Sequence, residues 1–82
     1  MNLYYKPQAA KDLKKLQKNE RGKVIKKLEI LAKNPRLGKS LKGEFKDLYS
    51  LRAWPYRIIY EISDKNIIIY TVKHRQSAYK RK

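Results

Sequence analysis

Cysteine is missing from all 82 residues, so neither a disulfide framework nor a thiolate metal site is available. Histidine is nearly as scarce. His74 is the single imidazole, and the seven carboxylates are scattered without ligand spacing, which argues against a zinc site. No apolar run approaches the roughly 18–20 residues that a bilayer-spanning helix needs. The first residues, Met-Asn-Leu-Tyr-Tyr-Lys-Pro, lack the apolar core of a signal peptide. The expectation is a cytoplasmic chain with no membrane role. Acidic residues are the last scarcity: Asp and Glu total 7 against 22 Lys and Arg, a formal charge of +15.

That charge exceeds what solubility requires. Self-repulsion of this size weakens the compact state unless a polyanion or an acidic partner screens it. Heat adaptation through ion pairs raises Glu along with Lys, and Glu is scarce here. Adsorption to an acidic membrane favours an amphipathic helix with Trp or Phe on its apolar face; the helical segments contain neither. Nucleic acid is the partner that the composition favours. Residues 1–82 read as one domain, without repeats, low-complexity segments or linkers. A domain of this size buries only about 60–65% of its unfolded surface, so a partner can add materially to its stability.

Leu3-Tyr4-Tyr5 reads as a short strand, and Pro7 suits the first turn of a helix. Ala9, Ala10, Leu13 and Leu16 recur at helical spacing to Lys18. Asn19 is placed to cap a second helix, with Glu20 complementing its dipole. That helix runs to about Lys33 with Val24, Ile25, Leu28 and Leu31 as its buried stripe, and Asn34-Pro35 ends it. A polar, basic connection spans Gly38 to Gly43. Three strands follow: Asp47–Ala53, Tyr56–Ile62 and Ile67–Val72. Trp54-Pro55 forces a turn or bulge after the first, and Asp64-Lys65-Asn66 is a hairpin turn after the second. The tail from Lys73 to Lys82 begins as a loop and ends in a helical turn. The order β-α-α-β-β-β predicts an α+β domain. An N-terminal strand and a helical hairpin pack on one face of a small, mostly antiparallel sheet.

On the second of these strands Tyr56, Ile58, Tyr60 and Ile62 point one way, and Arg57, Ile59 and Glu61 the other. An arginine inside a strand is costly unless it meets water, a carboxylate or a phosphate. Arg57 therefore either pairs with Glu61 or Glu44 or holds a phosphate on the open face, and Arg52 has the same two readings. His74 is the one side chain whose ordinary pKa, about 6.5, lies near neutrality. Lys73 and Arg75 flank it, and Tyr79 follows. Such cations stabilise a pentavalent phosphorane. Without a metal site, these parts suit cleavage of RNA by its own 2′-OH.

The segments Leu41-Lys42-Gly43, Tyr49-Ser50-Leu51-Arg52, Tyr56-Arg57-Ile58-Ile59-Tyr60 and Lys73-His74-Arg75-Gln76-Ser77-Ala78-Tyr79 together resemble the RelE/ParE toxin superfamily, and the RelE branch most. The resemblance spans nearly the whole chain. It implies the toxin of a type II toxin–antitoxin system, a metal-independent endoribonuclease (an mRNA interferase) that needs no cofactor. Such toxins inhibit translation by cutting the codon in the ribosomal A site. The implied partners are an acidic RelB-like antitoxin, mRNA on the ribosome with 16S rRNA contacts, and operator DNA for the toxin–antitoxin complex.

Residue by residue, Arg57 matches the strand arginine that stabilises the scissile phosphate. Arg52 matches a basic residue serving the base or the phosphate. Lys73, His74 and Arg75 match the region supplying the general acid, and Tyr79 matches a tyrosine that stacks on or orients the nucleotide. Lys42, Tyr49, Lys73 and Lys80 are the implied RNA contacts. Two departures matter. Ser50 stands where some members carry a lysine, and Gly38-Lys39-Ser40 where others carry a glutamate. Acid and base are thus unassigned, with His74 and Arg75 as rivals for the acid. The alternative is the ParE branch, which poisons DNA gyrase without nuclease activity. It shares the fold and the Tyr-Arg strand but usually lacks the basic-aromatic tail found here. A third class is an inert or purely DNA-binding relative.

Overall fold

A computed structural model describes residues 2–41 and 47–74. Strand β1 (Asn2–Tyr5) leads into helices α1 (Pro7–Lys15) and α2 (Lys18–Lys33). A 3-10 turn, Pro35–Leu37, precedes β2 (Lys39–Ser40), β3 (Tyr49–Ala53), β4 (Tyr56–Ser63) and β5 (Asn66–His74). The α+β expectation holds, with one addition: the basic connection after Gly38 contains the two-residue β2.

Pro7 opens α1, where its missing N–H costs nothing. The helix stops at Lys15, three residues before the expected end, because Leu16 turns extended. Arg21 of α2 closes that end. Its Nε donates to the Leu13 carbonyl at 2.9 Å, and Nη2 to those of Leu16 at 2.9 Å and Lys14 at 3.3 Å. A guanidinium thus satisfies carbonyls that a helix C-terminus leaves open, where its charge also suits the dipole. The joint between the helices is Leu16 and Gln17, earlier in the chain than expected.

As a result α2 starts earlier than the sequence suggests. Gln17 is its N-cap, without a side-chain bond, and Asn19 lies inside the first turn. The Asn19 side-chain oxygen accepts only the Glu20 N–H, at 2.9 Å. Val24, Leu28 and Leu31 form the buried stripe as expected, but Ile25 is 39% exposed. In α1 Ala9 is buried, Ala10 is exposed, and the other buried residue is Asp12.

The five strands lie in the order β1-β5-β4-β3-β2. β1 runs parallel to β5, and the remaining pairs are antiparallel. Trp54 and Pro55, joined by a cis peptide bond, make the tight turn between β3 and β4, since Ala53 and Tyr56 are directly paired. Asp64 and Lys65 make the next turn. Asp64 has φ 61°, a left-handed conformation that aspartate tolerates and that a short hairpin loop requires. The β4–β5 register shifts once. Ile59 pairs with Thr71 but Tyr60 with Ile69, which leaves Tyr70 as the extra residue of a bulge. The bulge lets Ile67, Ile69 and Val72 all face the core.

Among the described residues, the largest wholly buried side chains between the helices and the sheet are Val24, Leu28, Leu31, Ile58, Tyr60, Ile67 and Ile69. Each large aliphatic one contributes about 1.5–3 kcal/mol of transfer free energy. Tyr60 is also an anchor. Its hydroxyl donates to the Pro35 carbonyl and accepts the Gly38 N–H, both at 3.0 Å. Burial raises its pKa, the Gly38 bond opposes this, and Tyr49 adds to the rise. A side chain at position 38 would collide with the Tyr60 hydroxyl and come within 2.9 Å of the Ser50 carbonyl, so glycine is required there.

Asp12 completes the sheet where β1 gives out. β1 pairs with β5 as far as Ile69, whose carbonyl then accepts the Lys6 N–H at 2.9 Å. Beyond that point the Val72 N–H donates to Asp12 Oδ2 at 2.9 Å, so a carboxylate replaces the missing strand. Lys73 Nζ and Gln8 Nε2 each donate to Oδ1 at 2.9 Å. Burial alone would raise the Asp12 pKa. The bonds from Val72, Lys73 and Gln8, with the charge of Lys73, outweigh it and hold the carboxyl below its ordinary value.

Candidate functional site

The sheet face turned away from the helices carries a row of cations. Arg52 of β3 pairs directly with Arg57 of β4, and Arg57 pairs directly with Lys73 of β5. Directly opposed residues in antiparallel strands bring their Cβ atoms within roughly 4.5–5.5 Å, and like charges so placed destabilise a sheet. Lys73 meets the Asp12 carboxylate, so the like-charge cost of this row falls mainly on the Arg52–Arg57 pair.

A cleft of about 610 Å³ opens at the β3 end of this row. It exists because β2 pairs only Lys39 with Ser50 and Ser40 with Tyr49, so the β3 edge is uncovered beside Leu51 and Arg52. Arg52 and Arg57 line it, joined by Lys39 from β2 and Lys27 from α2. Its walls include Leu37, Ser40, Leu41, Ser50 and Leu51, and no carboxylate is among its described lining residues. The Tyr60 anchor fixes Gly38 and hence the start of β2. No salt bridge among the described residues engages Arg52. Glu61 accepts the Tyr70 hydroxyl at 2.7 Å through one oxygen, Glu44 lies outside the described residues, and Arg57 is itself engaged in a contact.

The expected site residues separate into groups. Arg52 and Arg57 come together in the cleft. Lys73 stands next to Arg57, but its ammonium is tied to Asp12. His74 is exposed at the end of β5, paired with Tyr56, and meets its ring edge-on at 5.7 Å. Tyr56 packs against the core, so His74 lies on the opposite pleat from Arg57. Tyr49 likewise packs against the core, stacked on Tyr60 at 5.4 Å. Lys42, Arg75, Tyr79 and Lys80 lie outside the described residues. Sequence reasoning passed over Lys27 and Lys39 as site residues. The position of Lys39 in the basic connection was a signal. Lys27 offered none, since its helix is lysine-rich on several sides.

Among the described residues, no group of three or more His, Cys, Asp or Glu could hold a metal ion. Nor is any described helix long and apolar enough to cross a membrane. What the cleft can do is bind an extended polyanion and concentrate positive charge on one phosphate.

Comparison with known proteins gives the same direction. Residues 3–79 match the family model for the ParE toxin of type II toxin–antitoxin systems. A search of curated sequences gives no significant match. Among solved structures, the chain is similar to one from the Mycobacterium tuberculosis RelBE2 toxin–antitoxin complex. The TM-score is 0.83 at 31% identity, covering 90% of this chain and 96% of the other. The isolated Escherichia coli RelE toxin matches with TM-score 0.76 and 28% identity, over 89% of this chain and 82% of that one. A chain of the Staphylococcus aureus YoeB–YefM complex matches with 0.77 and 26%, over 90% and 95%.

Proposed function

The chain belongs to the ParE toxin family within the RelE/ParE superfamily, and from that membership we propose that it is a ribosome-dependent endoribonuclease of the RelE type. The observation that carries this reading is the arginine pair, Arg52 opposite Arg57, opening on a cleft whose other cations are Lys27 and Lys39. mRNA threads the cleft, and the two guanidinium groups hold the non-bridging oxygens of one phosphate. A base takes the 2′ proton, and the 2′ oxygen attacks phosphorus. The bond to the 5′ oxygen breaks as an acid protonates it. A 2′,3′-cyclic phosphate and a 5′-hydroxyl remain, and no metal is needed. Arginine suits this role because its planar fork matches phosphate and stays charged throughout. His74 and Arg75 are the rivals for the acid, and Tyr79 stacks on the nucleotide.

An acidic, partly helical antitoxin keeps the toxin silent by covering this charge. Solved relatives include the RelBE2 and YoeB–YefM toxin–antitoxin complexes, which supports such a partner. Binding only the folded toxin, it would also stabilise the fold. The second reading, gyrase poisoning, is favoured by the ParE description of the matching family model. Toeprinting on programmed ribosomes tests both. The purified chain is expected to cut the A-site codon and to leave gyrase supercoiling untouched. Gyrase inhibition without cleavage would reverse the assignment.

A further inference from the structure

Helix α2 carries a second stripe beside its core stripe. Lys23, Lys26, Lys27 and Ile30 recur at i, i+3, i+4 and i+7, so they share one face. That face meets the β3–β4 turn, where it forms with Ala53 and Trp54 a groove of about 280 Å³. The floor is apolar and open: Ile30 is 49% exposed, and Trp54, the only tryptophan, 58%. The rim is three lysines, of which Lys23 makes a long surface ion pair with Glu20 at 3.8 Å.

We propose that this groove is the docking site for an amphipathic helix of the acidic antitoxin. An apolar side chain of that helix seats between Ile30 and Trp54, and its carboxylates meet Lys23 and Lys26. The inference rests on the toxin–antitoxin reading above. Charge complementarity selects the occupant, because the lysine rim disfavours a basic or neutral helix. The apolar floor disfavours a phosphate backbone, which gains nothing from Ile30 and Ala53. Large aromatic residues in such pockets are the usual anchors of protein–protein binding. Lys27 links the groove to the site, since it lines both the groove and the arginine cleft. A carboxylate that engages Lys27 withdraws one cation from the cleft, so the partner silences the cleft without having to fill it.

Trp54 fluorescence reads the groove directly. The probe is a synthetic, tryptophan-free peptide with leucines at i, i+3, i+4 and i+7 and glutamates elsewhere. It is expected to shift the Trp54 emission to the blue. Combining Lys23→Glu with Lys26→Glu should weaken its Kd about tenfold, or about 1.4 kcal/mol, and Ile30→Glu should abolish the shift. A labelled oligouridylate should bind with Trp54 emission unchanged. An absent blue shift, or an unchanged Kd in the doubly reversed variant, overturns the proposal. So does oligouridylate that quenches Trp54 and displaces the peptide, which would make the groove a base-stacking surface. Ribosomal cleavage is read separately. Its absence alongside an intact, charge-dependent blue shift would sink the nuclease reading and leave the groove standing.

Discussion

The two ends of the cationic row are built from the same kind of residue and treated in opposite ways. At the β5 end, Lys73 meets Asp12, whose side chain is only 4% exposed and which also holds the Val72 N–H. At the β3 end, Arg52 and Arg57 face a cleft whose described lining holds no carboxylate. One end is closed over a buried carboxylate; the other opens on a cleft lined by cations. A binding site for a polyanion can be told from a merely basic surface by this difference, because Lys and Arg alone mark both.

The largest expected effect breaks the open end. Arg57→Ala removes a charge that the transition state needs more than the ground state does. Cleavage should fall about 10²–10³-fold, the scale of losing one preorganised charge or donor, with ribosome affinity little changed. Arg57→Lys should recover only part of the rate, since a point charge does not replace a two-pronged donor. Parent-like cleavage by both variants would end the assignment of Arg57.

Breaking the closed end should cost stability instead. Asp12→Ala strands the buried Val72 N–H and frees Lys73, a loss of about 2–4 kcal/mol in urea unfolding. The pH dependence follows from the lowered Asp12 pKa. A carboxyl with a depressed folded pKa stabilises fully above its unfolded value, near 3.8 here, and that stability is lost as pH falls through the folded value. The gap between the parent and Asp12→Asn should therefore hold at neutral pH and narrow as pH falls below about 4. A gap that stays constant down to strongly acidic pH would contradict the carboxylate's role.

The open end was far more legible in the sequence than the closed one. Period-two alternation along β4 separates Arg57 from Ile58 and Tyr60, and the Trp54-Pro55 turn then brings Arg52 opposite Arg57. Both facts are local. Asp12 and Val72 are 60 residues apart, and an aspartate within a lysine-rich helix carries no mark of where it will end up. The bulge at Tyr70 hid more. Counting alternate positions from Ile67 puts Lys73 with the core and His74 with the arginines. The extra residue reverses both, so His74 shares a face with Tyr56. Arg21 and β2 were missed for a related reason: a helix end closed from the next helix and a two-residue edge strand have no periodicity to detect.

A smaller effect sharpens the open end through its support. Tyr60→Phe keeps the ring in the core but removes the bonds to Pro35 and Gly38, leaving the Gly38 N–H without its acceptor. The cost should be about 1–2 kcal/mol in unfolding. Because Gly38 leads directly into Lys39, cleavage at saturating ribosomes should fall measurably as the cleft loosens. Lost stability with cleavage unchanged would show that the anchor serves the fold alone.

The smallest expected effect falls on Lys73, and it decides whether the two ends differ in function as well as in structure. Lys73 neighbours Arg57 and sits in the stretch that the RelE resemblance connects with catalysis. If its charge served the scissile phosphate, Lys73→Met would cut the rate on the scale of Arg57→Ala. If Asp12 already consumes that charge, cleavage should change less than about fivefold, under about 1 kcal/mol of barrier. The ammonium is about one-third exposed, so its pairing should be worth only about 1 kcal/mol of stability. The Val72 bond to Asp12 survives the substitution and limits the loss further. The double variant sharpens the test. Adding Lys73→Met to Asp12→Ala should cost less than the two separate losses combined, since the partners act as a unit. Additive losses, or a rate collapse in Lys73→Met alone, would place Lys73 with the arginines and erase the contrast.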